Sequence, residues 1–180
     1  MKKTAFTMME LIFVIIVIGI LAAVFIPRFS NNNLTKATNH LITNIRYTQH
    51  LALLDDQYNA KNATWYKKQW SINLCQAGYK ISSLDGTRLA KDPTRKANMD
   101  GSVTNDFNLA AKYGVSLSAP AATCIISFDH LGRPYGFNNT PAPTAPTSNL
   151  LHTPVNITIT SGSNTATIKI EPETGYVHLL

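Results

Sequence analysis

The stretch FTMMELIFVIIVIGILAAVFIP, residues 6–27, decides how the chain is organised. From Phe6 to Ile26 it contains 21 residues, and Glu10 is the only charged one. As a helix it would be about 31 Å long, which matches the roughly 30 Å hydrocarbon core of a bilayer. A helix buried in a soluble protein normally keeps a polar face, and this stretch shows none after Glu10. The pattern predicts a transmembrane helix over residues 6–27.

The flanking residues predict the orientation of this helix. Lys2 and Lys3 precede it with no acidic neighbour, which favours a cytoplasmic N-terminus and an exported remainder. No second apolar stretch of this length follows, so a single-pass protein is expected. The alternative is a secretory signal peptide cleaved after residues 21–23, but apolar residues continue through 24–26, and signal peptides have shorter apolar regions.

Glu10 lies where a charge costs free energy. On insertion scales a carboxylate at the bilayer centre costs roughly 2.5–3.5 kcal/mol, and less near the interface, so such residues are usually paired and functional. A partner for Glu10 could come from a neighbouring molecule or from a new amino terminus. Alternatively, the side chain simply reaches the interface, since it lies near the cytoplasmic end.

The sequence MKKTA followed by FTMMELIFVIIVIGILAAVFIP resembles the N-terminus of type IV pilins and type II secretion pseudopilins. The resemblance implies that residues 1–5 are a leader that a prepilin peptidase removes between Ala5 and Phe6. It further implies that Phe6 is N-methylated, that Glu10 pairs with the N-terminal amine of an adjacent subunit, and that Pro27 bends the helix. In one departure from the family pattern, Ala5 stands where glycine is usual before the cut.

This resemblance also implies a location and partners. The chain would reside in the bacterial inner membrane with its C-terminal domain in the periplasm or in an extracellular filament. Its partners would be membrane lipid, the prepilin peptidase, the inner-membrane assembly platform and other pilins or pseudopilins in a helical filament. An amine and a carboxylate attract strongly in a low dielectric, and a buried ion pair can set register between subunits.

Residues 28–58 predict an amphipathic exported helix. Apolar or small residues recur every three or four positions, and charged residues lie off this stripe. The stripe should pack on a sheet, and a coiled-coil dimer is the weaker alternative because the repeat is short. The stripe consists of Leu34, Ala37, Leu41, Ile45, Thr48 and Ala52.

Residues 59–180 predict an antiparallel β-sheet domain, which makes the fold class α+β with the long helix laid across one sheet. Alternating or apolar stretches predict a first hairpin, a buried strand and a C-terminal meander of two consecutive hairpins. A polar loop is expected over 85–122, with a short helix near its end, and a proline-rich loop over 138–147. The predicted strands lie in QWSINLC, GYKISSL, CIISFD (124–129), VNITIT, TATIKI and YVHLL.

The segments FDHLGRPYG (128–136) and 157–177 carry a second resemblance. They are similar to the C-terminal region of H-type minor pseudopilins and FimT-like minor pilins. This resemblance favours a minor subunit over a major pilin.

The two cysteines, Cys75 and Cys124, would lie in a compartment where disulfides persist. A bridge between them is favoured over two separate buried thiols. The formal charge is +6, and removal of the leader's two lysines leaves 14 basic and 10 acidic residues, a charge of +4. This mild excess is not by itself typical of nucleic-acid binding.

The sequence contains only weak candidates for a catalytic, metal or nucleic-acid site. Five scattered histidines show no zinc-ligand spacing, and no nucleophile elbow, Walker loop or dinucleotide fingerprint occurs, so no enzyme, metal or cofactor is predicted. Asp100 and Asp106 could form a loose calcium loop, for which a plain polar turn is the preferred alternative. A basic loop could contact DNA phosphates, as in FimT-like DNA-uptake pilins, or could simply be solvated. It contains Arg88, Lys91, Arg95 and Lys96.

Overall fold

The computed structural model describes residues 8–76, 78–101, 107–138 and 149–180, and within the first helix it describes no side chains for residues 24–32. The predicted cleavage and methylation positions, Ala5 and Phe6, and the predicted bend at Pro27 therefore lie outside the described residues and side chains.

One long helix, α1, runs from Met8 to Leu54. It ends before the predicted boundary at residue 58 because the next two carboxylates bind other groups. The Asp55 carboxylate accepts a hydrogen bond from the Trp70 indole, and Asp56 accepts one from the Tyr58 backbone N–H. Side chains of this type compete with the helical backbone and favour turns.

Within the described residues, eight strands form two antiparallel sheets of four strands each, whereas the sequence predicted one sheet. Local alternation cannot specify which strands pair across long distances in the chain. The first sheet has the order β2-β1-β4-β5, with β1 Trp70–Asn73, β2 Lys80–Ser83, β4 Ile125–Phe128 and β5 Pro134–Phe137. The second has the order β3-β6-β7-β8, with β3 Ser116–Ser118, β6 Val155–Ser161, β7 Asn164–Ile170 and β8 Val177–Leu179.

The predicted hairpins are confirmed. In β1 and β2, Ile72 lies opposite Ile81, and in β6 and β7, Ile157 lies opposite Ile168. Strand β8 completes the C-terminal meander. The 85–122 region contains the predicted short helix, α2 at Leu109–Tyr113, and also the unpredicted β3, and a 3₁₀ turn at Ala121–Thr123 spans its end.

The core lies between α1 and both sheets. All six residues of the predicted stripe are buried, and Ala37, Leu41, Ile45 and Thr48 are completely inaccessible. Isoleucines from both sheets pack in the same cluster as the apolar members of this stripe. The stripe therefore packs on sheets, as predicted, and the α+β class with a helix on antiparallel sheets is confirmed.

Candidate functional site

The N-terminal half of α1 presents an exposed apolar surface. We call residues 8–23 the stem. Every stem side chain is exposed, and Glu10 is the acidic residue of the first helical turn. Its large apolar side chains include Phe13 at 68% exposure and Ile20 at 62%. Within the described part of the chain, no helix meets the length and hydropathy required of a membrane span.

The C-terminal half of α1 is fixed to two turns of the β-domain. Arg46 donates from Nη2 to the Val177 carbonyl at 2.7 Å. Gln49 donates from Nε2 to the Gly132 carbonyl at 2.8 Å and to the Thr174 carbonyl at 3.1 Å. One amide side chain thus joins the helix to the β4–β5 turn and to the β7–β8 turn.

Asp129 organises the β4–β5 turn from a buried position. Its Oδ1 atom accepts the backbone N–H groups of Leu131 and Arg133, at 3.0 and 2.9 Å. Its Oδ2 atom accepts from Arg133 Nε at 2.7 Å and from the Tyr135 hydroxyl at 3.3 Å. The hydrogen bond to Asp129 raises the pKa of the Arg133 guanidinium. Burial, reinforced by the Asp129 charge, raises the pKa of Tyr135.

The two turns touch each other as well as Gln49. A Cβ added at Gly175 would lie 2.5 Å from the Gly132 carbonyl oxygen. The segments 128–136 and 157–177, which carry the second resemblance, therefore meet in space. No sequence pattern predicts this role for Gln49, which is marked only by its position next to Thr48 of the apolar stripe.

The four residues of the predicted basic loop differ in exposure. Arg88 is half-buried, and its Nη1 atom lies 2.8 Å from Asp55 Oδ2. Its guanidinium lies 4.7 Å from the Trp70 ring centroid and donates to the Lys68 carbonyl at 2.8 Å. These contacts give Arg88 a structural role at the end of α1.

The other three basic residues of this loop are exposed. In the sequence, Lys91 directly precedes Asp92, and Arg95 and Lys96 follow it. Burial opposes ionisation of Asp92, but hydrogen bonds from Thr94 outweigh it and hold the pKa of Asp92 below its ordinary value. The carboxylate therefore stays ionised and offsets part of the positive charge.

Cys75 and Cys124 form a disulfide. Cys75 follows β1 and Cys124 precedes β4, and since these strands are neighbours, the two Cα atoms lie 5.0 Å apart. A groove of about 880 Å³ separates the disulfide from β3, which is an edge strand of the second sheet. The bridge thus holds one wall of this groove.

The described residues provide no arrangement of ligands that supports the predicted calcium loop. Asp106 lies outside the described residues, and Asp100 is exposed and belongs to no helix, strand or turn. Among the described residues, no group of three or more His, Cys, Asp or Glu side chains is arranged to hold a metal ion.

Comparisons with known proteins do not identify the chain. No protein-family model matches it, and neither the curated proteins nor the solved structures contain a significant match.

Proposed function

We propose that the chain is a structural subunit, a minor pseudopilin or minor pilin, of a type II secretion pseudopilus or a type IV pilus. The observation that carries this proposal is the contrast between the two halves of α1. From Leu34 onward its apolar stripe is buried on the β-domain, whereas the stem is exposed on every side. Among the described residues, the core cluster of the β-domain includes no stem residue.

An exposed apolar helix is unfavourable in water unless another surface buries it. Burial of apolar surface stabilises by about 25 cal/mol per Å². Transfer of the stem from water into lipid, or its packing against other stems, is therefore strongly favourable. The stem would lie in lipid while the subunit is held in the inner membrane. It would then pack against other stems in the helical bundle of the filament. The sequence from Phe6 to Ile26 has the length required to span a bilayer.

Glu10 gives this assembly its register. Cleavage between Ala5 and Phe6 would create an amine four residues before Glu10, and the carboxylate would pair with that amine on an adjacent subunit. The leader lysines keep this end in the cytoplasm, and the β-domain is exported across the inner membrane. The Cys75–Cys124 disulfide supports export, since disulfides persist outside the reducing cytoplasm.

The choice of a minor subunit is supported by the contact between the two C-terminal turns. The segments that resemble minor pseudopilins and minor pilins pack together around Gln49 and fix the helix to the sheet. In this proposal the β-domain presents its outer surface to neighbouring subunits or cargo.

Substitution at Glu10 tests the proposal. Glu10→Gln should leave membrane insertion intact and strongly reduce incorporation into filaments. Lys36→Gln, which neutralises an exposed charge farther along α1, is the matched control and should assemble normally. Normal incorporation of Glu10→Gln, measured by filament purification and immunoblotting, would refute the register role.

A second candidate function is DNA binding by a FimT-like minor pilin. Exposed Lys91, Arg95 and Lys96 on one loop favour it. Charge reversal of these three residues should abolish a gel shift that wild type shows, and the wild-type affinity should fall steeply with salt because counterion release dominates such contacts. Charge reversal of Lys36 is the control, and a salt-independent shift would contradict this function.

A further inference from the structure

A small recess lies at the end of α1 that is opposite the stem. After Leu54 the chain passes through residues 55–64 into a 3₁₀ turn at Trp65–Lys68. The rings of Tyr58 and Trp65 meet edge to face, with centroids 5.2 Å apart and an interplanar angle of 72°. They line a recess of about 200 Å³ together with polar side chains. These are Asp56, Gln57, Asn59, Asn62 and Lys68.

Both rings are partly open to solvent. Tyr58 is 59% exposed, and Trp65 is half-buried. Within the described part of the chain, neither the Tyr58 hydroxyl nor the Trp65 indole N–H makes a hydrogen bond. Aromatic rings with a wet polar end are typical of interaction surfaces.

The backbone around the recess is fixed by its own side chains. Asn59 Oδ1 accepts the Lys61 N–H at 3.0 Å, and Asn62 Oδ1 accepts the Thr64 N–H at 3.0 Å. Because the carbonyl oxygens of both side-chain amides are used in this way, their Nδ2 groups are left as donors. The recess therefore combines aromatic faces with amide donors and one carboxylate, that of Asp56.

This combination suits a sugar better than other ligands. A pyranose ring has an apolar face of C–H groups that stacks on an aromatic ring, and its hydroxyls bond to amides and carboxylates. The recess is smaller than the roughly 300–1,000 Å³ of sites for drug-sized molecules, which fits a single sugar ring.

Single-stranded nucleic acid also stacks on aromatic side chains, but it needs a positively charged groove along the backbone. Here the recess is lined by one cation, Lys68, and by the carboxylate of Asp56. The carboxylate repels phosphate and attracts hydroxyl donors. We propose that Tyr58 and Trp65, with the amides of Asn59 and Asn62, bind one ring of a neutral saccharide.

Saturation-transfer difference NMR on the full-length chain tests this proposal. The chain is kept in micelles of an amine-oxide detergent, which contains no sugar, and the probes are cellotetraose and the tetramer of N-acetylglucosamine. At least one probe should receive saturation from the wild-type protein. Tyr58→Ala and Trp65→Ala should each weaken its affinity about tenfold or more, which corresponds to the loss of one stacking contact.

Tyr176→Ala is the matched control, because the ring of Tyr176 is also 59% exposed but lies in the β7–β8 turn. It should bind as wild type does. Trp65→Phe keeps a stacking ring and should bind more tightly than Trp65→Ala, which separates a lost contact from a misfolded loop.

Three results would overturn the proposal. The first is that neither saccharide receives saturation from the wild-type protein. The second is that Tyr58→Ala binds the saccharide as wild type does. The third is that a dT10 oligonucleotide binds in the recess and that the same variants abolish its binding. The last result would assign the recess to nucleic acid. None of them bears on filament assembly, which the Glu10 variants test separately.

Discussion

Asp55 joins the end of α1 to the first sheet and to the turn that follows β2. Its Oδ2 atom accepts from Trp70 Nε1 at 2.9 Å and from Arg88 Nη1 at 2.8 Å. Burial would raise the pKa of Asp55, but these hydrogen bonds and the Arg88 charge outweigh it and hold the pKa below the ordinary 3.8. The ionised carboxylate therefore stabilises the folded state.

The sign of this pKa shift predicts a pH-dependent effect of Asp55→Asn. Because the pKa is lower in the folded than in the unfolded state, the stabilisation is complete well above pH 3.8 and is lost as the pH falls through the folded pKa. Asp55→Asn should cost on the order of 1 kcal/mol at pH 7, a modest value because the pair is over a third exposed, and much less at pH 2.5. Urea unfolding at both pH values measures this, with Asp56→Asn as the control. An equal loss at both pH values would argue against the mechanism.

Gly175 is a second residue whose role can be isolated. Its φ of +64° is unfavourable for other residues, and an added Cβ would lie 2.5 Å from the Gly132 carbonyl oxygen. Gly162 has a similar φ of +59° and open space around it. Gly162→Ala should cost about 1 kcal/mol from backbone strain alone, whereas Gly175→Ala should cost about 3 kcal/mol or more. Similar melting temperatures for the two variants would show that the turns do not need this close approach.

At the scale of elements, α1 has one half that packs within the molecule and one half that does not. Leu41 is completely buried in the first of these, and Leu53, near the helix end, is 49% exposed. Leu41→Ala should therefore destabilise the chain by about 2–5 kcal/mol, and Leu53→Ala by about 0.5 kcal/mol. Chemical unfolding followed by circular dichroism compares them. Equal losses would mean that the stripe does not form the core contact described here.

Elements with strong local patterns could be predicted from the sequence, and weakly patterned ones could not. Alternation in VNITIT and TATIKI, six residues each, predicts β6 and β7, and the apolar stripe predicts which face of α1 is buried. Strand β3 has only three residues, and β5, with the sequence PYGF, contains proline and glycine, which are depleted in strands. Both depend on pairing with distant segments.

At the scale of the whole molecule, the features that the sequence patterns did not predict are contacts between segments far apart in the chain. The order of the first sheet places β4 beside β1, although α2 and β3 lie between them in the chain. Neither the division into two sheets nor the meeting of two turns at Gln49 follows from any local pattern. The role of Arg88 was missed for the same reason, because its partner Asp55 lies 33 positions away.

The disulfide stabilises the molecule by constraining this non-local arrangement. Its two cysteines are 49 positions apart, and on the chain-entropy model closing such a loop contributes about 4 kcal/mol. Replacing both cysteines with serine should lower the free energy of unfolding by about this amount in urea titrations. The wild-type chain unfolded under reducing conditions is the control and should match the variant. A loss below about 1 kcal/mol would contradict a constraining role.

The central claim is that the apolar N-terminal segment is retained as an anchor and a subunit contact after a short leader is removed. Mass spectrometry of the N-terminal peptide, from chain purified out of the membrane fraction of a cell that carries a prepilin peptidase, tests this most directly. The account predicts a first residue of Phe6 carrying one added methyl group. An intact Met1, or a first residue beyond Pro27, would contradict it.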